Sequence, residues 1–232
     1  MNHENLIVTG VFWSAVTIAV YLVSKWLHRR QPRAWSSPML TAPVLLIALA
    51  LALHVDYGHY QTGTHWLLAL FAPATVAFAV PVYEERALIR SHWPLLIVGA
   101  LAGSLTAVVF SWFAGNCLGL NEDLRLSLLP RSVSTPFAVF VSGKIGGTPS
   151  LTAVFVLLTG IFGATLGEVL LSCLPLRSAV ARGASFGMGA HGFGAAKAHA
   201  ISRDTGSIAS LVMVFGGLLN VLAAPLLARL LH

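Results

Sequence analysis

Apolar residues fill long runs of this chain, at 6–27, 39–54, 65–82, 93–115, 124–142, 150–174, 183–199 and 207–231, and polar positions are confined mainly to the stretches between. No run alternates with the period of two that a barrel strand requires, so each predicts a helix. A bilayer-spanning helix needs about 20 apolar residues, a length that the first run, 6–27, reaches. No small-residue cleavage site follows the first run, which is expected to be a retained span rather than a signal peptide. No soluble domain fits between the runs. The pattern predicts an all-α integral membrane protein, one membrane domain over residues 1–232, with about six to eight transmembrane or re-entrant helices.

Two of the runs are interrupted. Pro73 and Pro81 break 65–82, and Pro130 and Pro136 break 124–142, where the chain reads LLPRSVSTPFAVFVSGKIGG from Leu128 to Gly147. Backbone freed by proline at membrane depth has to be buried in protein or face a wet cavity, so these breaks point to a solute pathway.

Composition supports the membrane reading. Hydrophobic residues make up 56% and charged residues 9%, against about 25% charged in soluble domains; the mean hydropathy is +0.80. A net charge of +6 could suggest nucleic acid. The basic residues instead gather at span ends, with Lys25, His28, Arg29, Arg30 and Arg33 in one loop, and no basic face carries aromatic platforms. Cys117 and Cys173 lack ligand or disulfide spacing and read as small buried apolar residues. The nine histidines show no HExxH and no paired-carboxylate spacing. No enzyme activity, catalytic residue, metal or cofactor is expected.

Pro38-Met-Leu-Thr-Ala42 returns as Pro149-Ser-Leu-Thr-Ala153, 111 positions later, each copy opening an apolar helix. Ala72–Gly103 and Ala184–Gly216 match at a similar offset, suggesting repeats of about 1–116 and 117–232. The basic loop before Pro38, together with Arg177 and Arg182, would put the two PxLTA starts on opposite faces and the N-terminus outside the cytoplasm. That is an inverted repeat with proline- and glycine-broken helices, as in many secondary transporters. Three runs lie between residues 54 and 149, both expected outside, so one of them cannot cross. The repeat favours 65–82 as re-entrant, with 183–199 as its partner, and leaves 124–142 as a proline-broken crossing helix.

The second partner reads GASFGMGAHGFGAAK from Gly183 to Lys197. Gly187, Gly189 and Gly192 satisfy GxGxxG, but without a preceding strand or a following acidic residue this is no dinucleotide site. Gly183, Gly187 and Gly194 either permit close helix packing or belong to an unwound backbone that approaches a solute. His191 is either a hydrogen-bonded structural residue or a proton-linked solute contact. Ser132, Ser134 and Thr135 supply hydroxyls before Pro136. Thr135 reads as a helix cap, as a donor to a bound carboxylate, or as a hydroxyl healing the proline break. Arg131 and Lys144 read as snorkelling interfacial residues. Glu168 pairs with Arg177 or reaches the interface, and Gly99-xxx-Gly103 and Gly163-xxx-Gly167 pack helices within a protomer or between protomers of a homo-oligomer.

Ala72–Tyr83 (APATVAFAVPVY), Ser127–Pro136 (SLLPRSVSTP), Gly146–Phe155 (GGTPSLTAVF) and the stretch from Ala181 through His191-Gly192 together resemble the LrgB family, also described as CidB-like or antiholin-like membrane proteins. The likeness runs from Pro38 almost to the end. Ala190 and Ala195 stand where the family usually has serine and threonine, and Ser134 where many relatives have threonine. The resemblance implies a multi-pass protein of the bacterial inner membrane that works with a small LrgA/CidA-type membrane partner. One implied role is regulation of murein hydrolase export and autolysis. The other is transport of a small carboxylate such as pyruvate, lactate, glycolate or glycerate. For transport, the expected solute contacts are Thr75, Ser134, Thr135, Pro136, Gly189, His191, Gly192 and Gly194.

Overall fold

The computed structural model of the chain describes residues 3–31, 36–174, 176 and 178–231. Arg33, Arg177 and His232 lie outside them, so the parts of the orientation argument resting on Arg33 and Arg177 are not addressed. The described residues are helical almost throughout and contain no strand. The helices are α1 (His3–Arg30), α2 (Pro38–Ala52), α3 (Tyr57–Thr64), α4 (Trp66–Ala69), α5 (Phe71–Ala77), α6 (Ala79–Glu84), α7 (Arg86–Cys117), α8 (Glu122–Leu128), α9 (Thr135–Lys144), α10 (Pro149–Cys173), α11 (Ala179–Ile201) and α12 (Arg203–Leu231), with a 3₁₀ turn at Leu129–Ser132. Four stretches among them are long and apolar enough to cross a membrane: Gly10–Arg30, Arg86–Cys117, Pro149–Cys173 and Arg203–Leu231.

Two compact bodies divide after Pro73. In the first, α1 packs on α3 through small and hydroxyl groups. The Ser14 hydroxyl donates to the Gly63 carbonyl at 2.7 Å and accepts from Trp66 Nε1 at 2.7 Å. Trp13 sits edge-on to Tyr60.

In the second body, directions follow from paired contacts. Leu96 clusters with Ile208, Leu211 and Val212, Ser104 accepts from Asn220 Nδ2 at 2.9 Å, and Val108 and Trp112 pack with Ala224 and Leu227. Both numberings rise together, so α7 and α12 run parallel. Gly160 faces His191, Gly163 faces Gly189 and Gly167 faces Phe186, so α10 runs against the first half of α11. Gly183 lies on Thr205 and Ile208, and Gly187 on Ala209, so that half is parallel to α12. The outward faces are apolar, as the exposed series Leu218, Leu222, Leu226 and Leu230 on α12 illustrates.

α11 turns back on itself. In a straight helix, residues eight apart are separated by about 12 Å. Yet a methyl group added to Gly194 would strike the Phe186 carbonyl oxygen, and Phe186, Ala195 and Ala198 share one buried cluster. The reversal falls at His191, whose φ of 37° and ψ of −118° lie outside helical space. Residues 179–201 therefore form a hairpin that enters and leaves at one end of the body, as expected for 183–199.

The segment 122–144 corrects an expectation. It does not cross. Gly147 packs against Leu126 and Ser127, the Thr148 N–H donates to Ser127 Oγ at 2.7 Å, and the Thr152 hydroxyl lies 2.7 Å from Ser142 Oγ and 2.9 Å from the Ser127 carbonyl. Ser127 of the descending limb and Ser142 of the returning limb thus sit at one level, and the chain reverses between Arg131 and Ser134. Pro130 and Pro136 make the reversal natural, since each removes an N–H and fixes φ at the break. With 122–144 returning to its own end, the parity count no longer asks 65–82 to turn back. That stretch is divided into helices of four, seven and six residues.

Inversion is present, but not at the 111-residue offset. An inversion would make α7 and α12 antiparallel, and they are parallel. The elements that invert are α7 with the hairpin 122–144 and α10 with the hairpin 179–201. They run in opposite directions, and their hairpins enter from opposite ends.

Candidate functional site at the hairpin tips

The two tips meet about halfway along α10. Arg131 of the first reaches Thr159, roughly 15 Å of helix from Pro149, and His191 of the second faces Gly160 one residue further. The His191 ring also hydrogen-bonds the main chain of Arg131, so the unpartnered atom of that ring is Nε2 alone. Two half-helices start here. Ser134 stands at the N-cap position of α9 in extended backbone without a side-chain cap bond, with Pro136 in the first turn, and the second half of α11 begins after His191. The unbonded N–H groups of a helix start carry partial positive charge. Both starts therefore present it at the same depth.

The polar side chains here lack protein partners or have only neutral ones. Ser132 and Ser134 are each 7% exposed and His191 is 3% exposed, yet Ser132 Oγ, Ser134 Oγ and His191 Nε2 have no hydrogen-bond partner. Buried polar atoms are normally satisfied, so three orphans at one place mark a site for something polar. Arg131 Nε donates to Ser111 Oγ at 3.0 Å, and its Nη1 donates to Thr159 Oγ1 at 3.2 Å. A cation at bilayer mid-depth costs about 2.5–3.5 kcal/mol even on the mildest scale. Two hydroxyls orient Arg131 without neutralising it.

Close packing of glycines holds the tips in place. A methyl at Gly163 would collide with the Gly189 carbonyl, and one at Gly160 would come within 2.8 Å of the His191 ring. His191 itself carries a positive φ of a kind that costs a non-glycine residue about 1–3 kcal/mol and clusters at functional sites. Two cavities open beside the tips. One of about 460 Å³ is lined by Gly103, Arg131, Ser132, Thr159, Met188 and Gly189, and another of about 720 Å³ shares Arg131, Thr159 and Gly189.

Of the residues expected at the site, Ser134, Thr135, Pro136, Gly189, His191, Gly192 and Gly194 all lie on the two tips. Their roles separate. Thr135 is the first residue of α9 rather than its cap, and Gly194 is packed against Phe186. Gly189 and Gly192 have open space where a side chain would stand. Thr75 lines a third cavity with Tyr83, Arg86 and Phe137, the last in the first turn of α9, and Phe78, one turn further on, stacks on Phe137.

Sequence reasoning missed Arg131 and Thr159. Arg131 flanks the hydroxyl-rich break in sequence, which suggests an interfacial, snorkelling cation; the reversal at residue 131 carries it inward. Three further expectations resolve here. Glu168 pairs with Lys197 at 2.5 Å. Cys117 and Cys173 are exposed free thiols, not buried ones. Gly103, Gly163 and Gly167 pack within the protomer, while Gly99 faces open space.

Fold and site together define a multi-pass, all-α membrane protein in which two opposed re-entrant hairpins meet inside the membrane. The chain belongs to the LrgB-like family, whose model matches residues 17–230. It is 37% identical to the uncharacterized protein YwbG of Bacillus subtilis, over 94% of this chain and 97% of that protein. It is 33% identical to YxaC of the same organism, over 94% of each. Against the holin-like protein CidB of Staphylococcus aureus, identity is 27% over 94% of this chain and 95% of the relative. No solved structure matches it.

Proposed function

We propose that this protein is a secondary transporter or facilitator of small monocarboxylates, such as pyruvate, lactate, glycolate or glycerate, working with a small LrgA-type membrane partner in the bacterial inner membrane. The observation that carries this reading is the convergence of two half-helix starts and three orphaned polar atoms at mid-depth. Half-helix starts receive anionic groups of solutes in discontinuous-helix transporters. Hairpins that enter from opposite ends give each side of the membrane its own movable wall. Opening one while the other stays closed exposes the solute to one side at a time.

Labelled pyruvate or glycolate uptake into proteoliposomes, with and without the small partner, tests the reading. Saturable flux is expected, and its absence under any gradient overturns the proposal.

A second reading, antiholin-like control of murein hydrolase release and autolysis, is favoured by the holin-like name of the CidB relatives. It predicts altered lysis on deletion with carboxylate flux unchanged. The carrier reading predicts that lysis changes only when flux does.

A further inference from the structure

We propose that Arg131 is the anion receptor of the tips: its guanidinium, held by Ser111 and Thr159, binds the solute carboxylate and makes the site selective for monoanions over uncharged analogues. The inference rests on the transport reading for its choice of solutes, but equilibrium binding tests it without flux.

A guanidinium has five N–H donors in a planar fork that matches a carboxylate with two parallel hydrogen bonds. Here the hydroxyls of Ser111 and Thr159 take one donor from Nε and one from Nη1. Both hydroxyls are neutral, so they fix the plane of the fork and leave its charge unmatched. The ion pair found among the described residues, Lys197 with Glu168, lies on α11 and α10 and does not involve Arg131.

Location adds a second, independent argument. Arg131 lines both cavities that flank the tips, so a bound anion could reach it from either. Ser132 in the same turn has an unpartnered, more than nine-tenths buried hydroxyl and lines the smaller of those cavities with Arg131, while the His191 ring hydrogen-bonds the Arg131 main chain. A carboxylate on the guanidinium would match the cation and give the Ser132 hydroxyl an acceptor. One cation matches one carboxylate. A dicarboxylate would leave a second charge unmatched in a site of low dielectric.

The test is calorimetric binding to the full chain in lipid nanodiscs, with lactate and with lactamide, its uncharged amide. Wild-type protein is expected to bind lactate at least tenfold more tightly than lactamide. Arg131→Gln should lose tenfold or more in lactate affinity. Arg131→Lys should fall between, because the charge remains while the fork is lost, and Thr159→Val should weaken binding less than Arg131→Gln. Equal binding of lactate and lactamide, or lactate binding unchanged in a folded Arg131→Gln protein, overturns the proposal. So does the absence of binding of lactate, pyruvate, glycolate and glycerate to the wild type. Should Arg131→Gln fail to fold, the lactate and lactamide comparison on wild type decides. Saturable flux that survives Arg131→Gln overturns this inference alone, whereas Arg131-dependent binding without flux overturns the transport reading alone.

Discussion

The hairpins 122–144 and 179–201 reach the same depth by different chemistry. The first turns through a 3₁₀ segment bounded by two prolines, and its tip carries side-chain function in Arg131, Ser132 and Ser134. The second turns at a single strained histidine among glycines, and its tip offers backbone. Proline breaks a helix by removing a donor, so the neighbouring residues can be large and polar. Glycine allows the limbs of the hairpin and its neighbours to touch, so the surrounding positions have to be small. One tip brings charge; the other brings close approach.

The largest expected effect falls on the glycine-built hairpin. Gly194→Ala and Gly163→Ala each put a methyl onto a carbonyl oxygen of the packed backbone. Each should cost about 3 kcal/mol or more and greatly reduce folded protein recovered in detergent. Retention of native melting in both variants would break the hairpin geometry. Gly189→Ala sharpens the contrast within the same motif, because its added methyl meets no atom within 4 Å. Stability should stay within about 1 kcal/mol of wild type, while solute uptake falls as the cavity beside Arg131 narrows.

A smaller effect is expected at the tie between α10 and the returning limb of the second hairpin. Glu168→Gln and Lys197→Met each leave one charge without its partner. The double variant should melt closer to wild type than either single variant, and strict additivity in that cycle would mean the pair is not coupled. Smallest of all is Ser134→Ala in the proline-built hairpin. Its hydroxyl has no protein partner, so its removal should change stability by less than about 0.5 kcal/mol while weakening solute binding. A large loss of stability would show that the hydroxyl has a structural partner.

Much of the fold was legible in the sequence. Run lengths located α10 and α12 within four residues but missed the first two turns of α7. The segment around His191 was expected not to cross only through its match with 65–82 at the repeat offset, which the parallel course of α7 and α12 does not support. The sequence misled at 122–144, because a hairpin of two ten-residue limbs and one crossing helix have nearly the same length and hydropathy. What separates them is the hydroxyl tie of Ser127, Ser142 and Thr152, a contact across 25 positions that no local pattern announces. The site was half legible for the same reason. Hydroxyls and glycines at breaks were visible as candidates, but Arg131 looked interfacial until the reversal placed it at depth, and Thr159 sat unremarked in the middle of an apolar helix.

Both hairpins return to the ends from which they entered. Single cysteines at Asp123, Lys144, Arg182 and Arg203, in a background with Cys117 and Cys173 replaced by serine, can be labelled with a membrane-impermeant maleimide in intact and inverted vesicles. Labelling of positions 123 and 144 from one side, with 182 and 203 from the other, is the predicted result. Labelling of 123 and 144 from opposite sides, or of 182 and 203 from opposite sides, would contradict it.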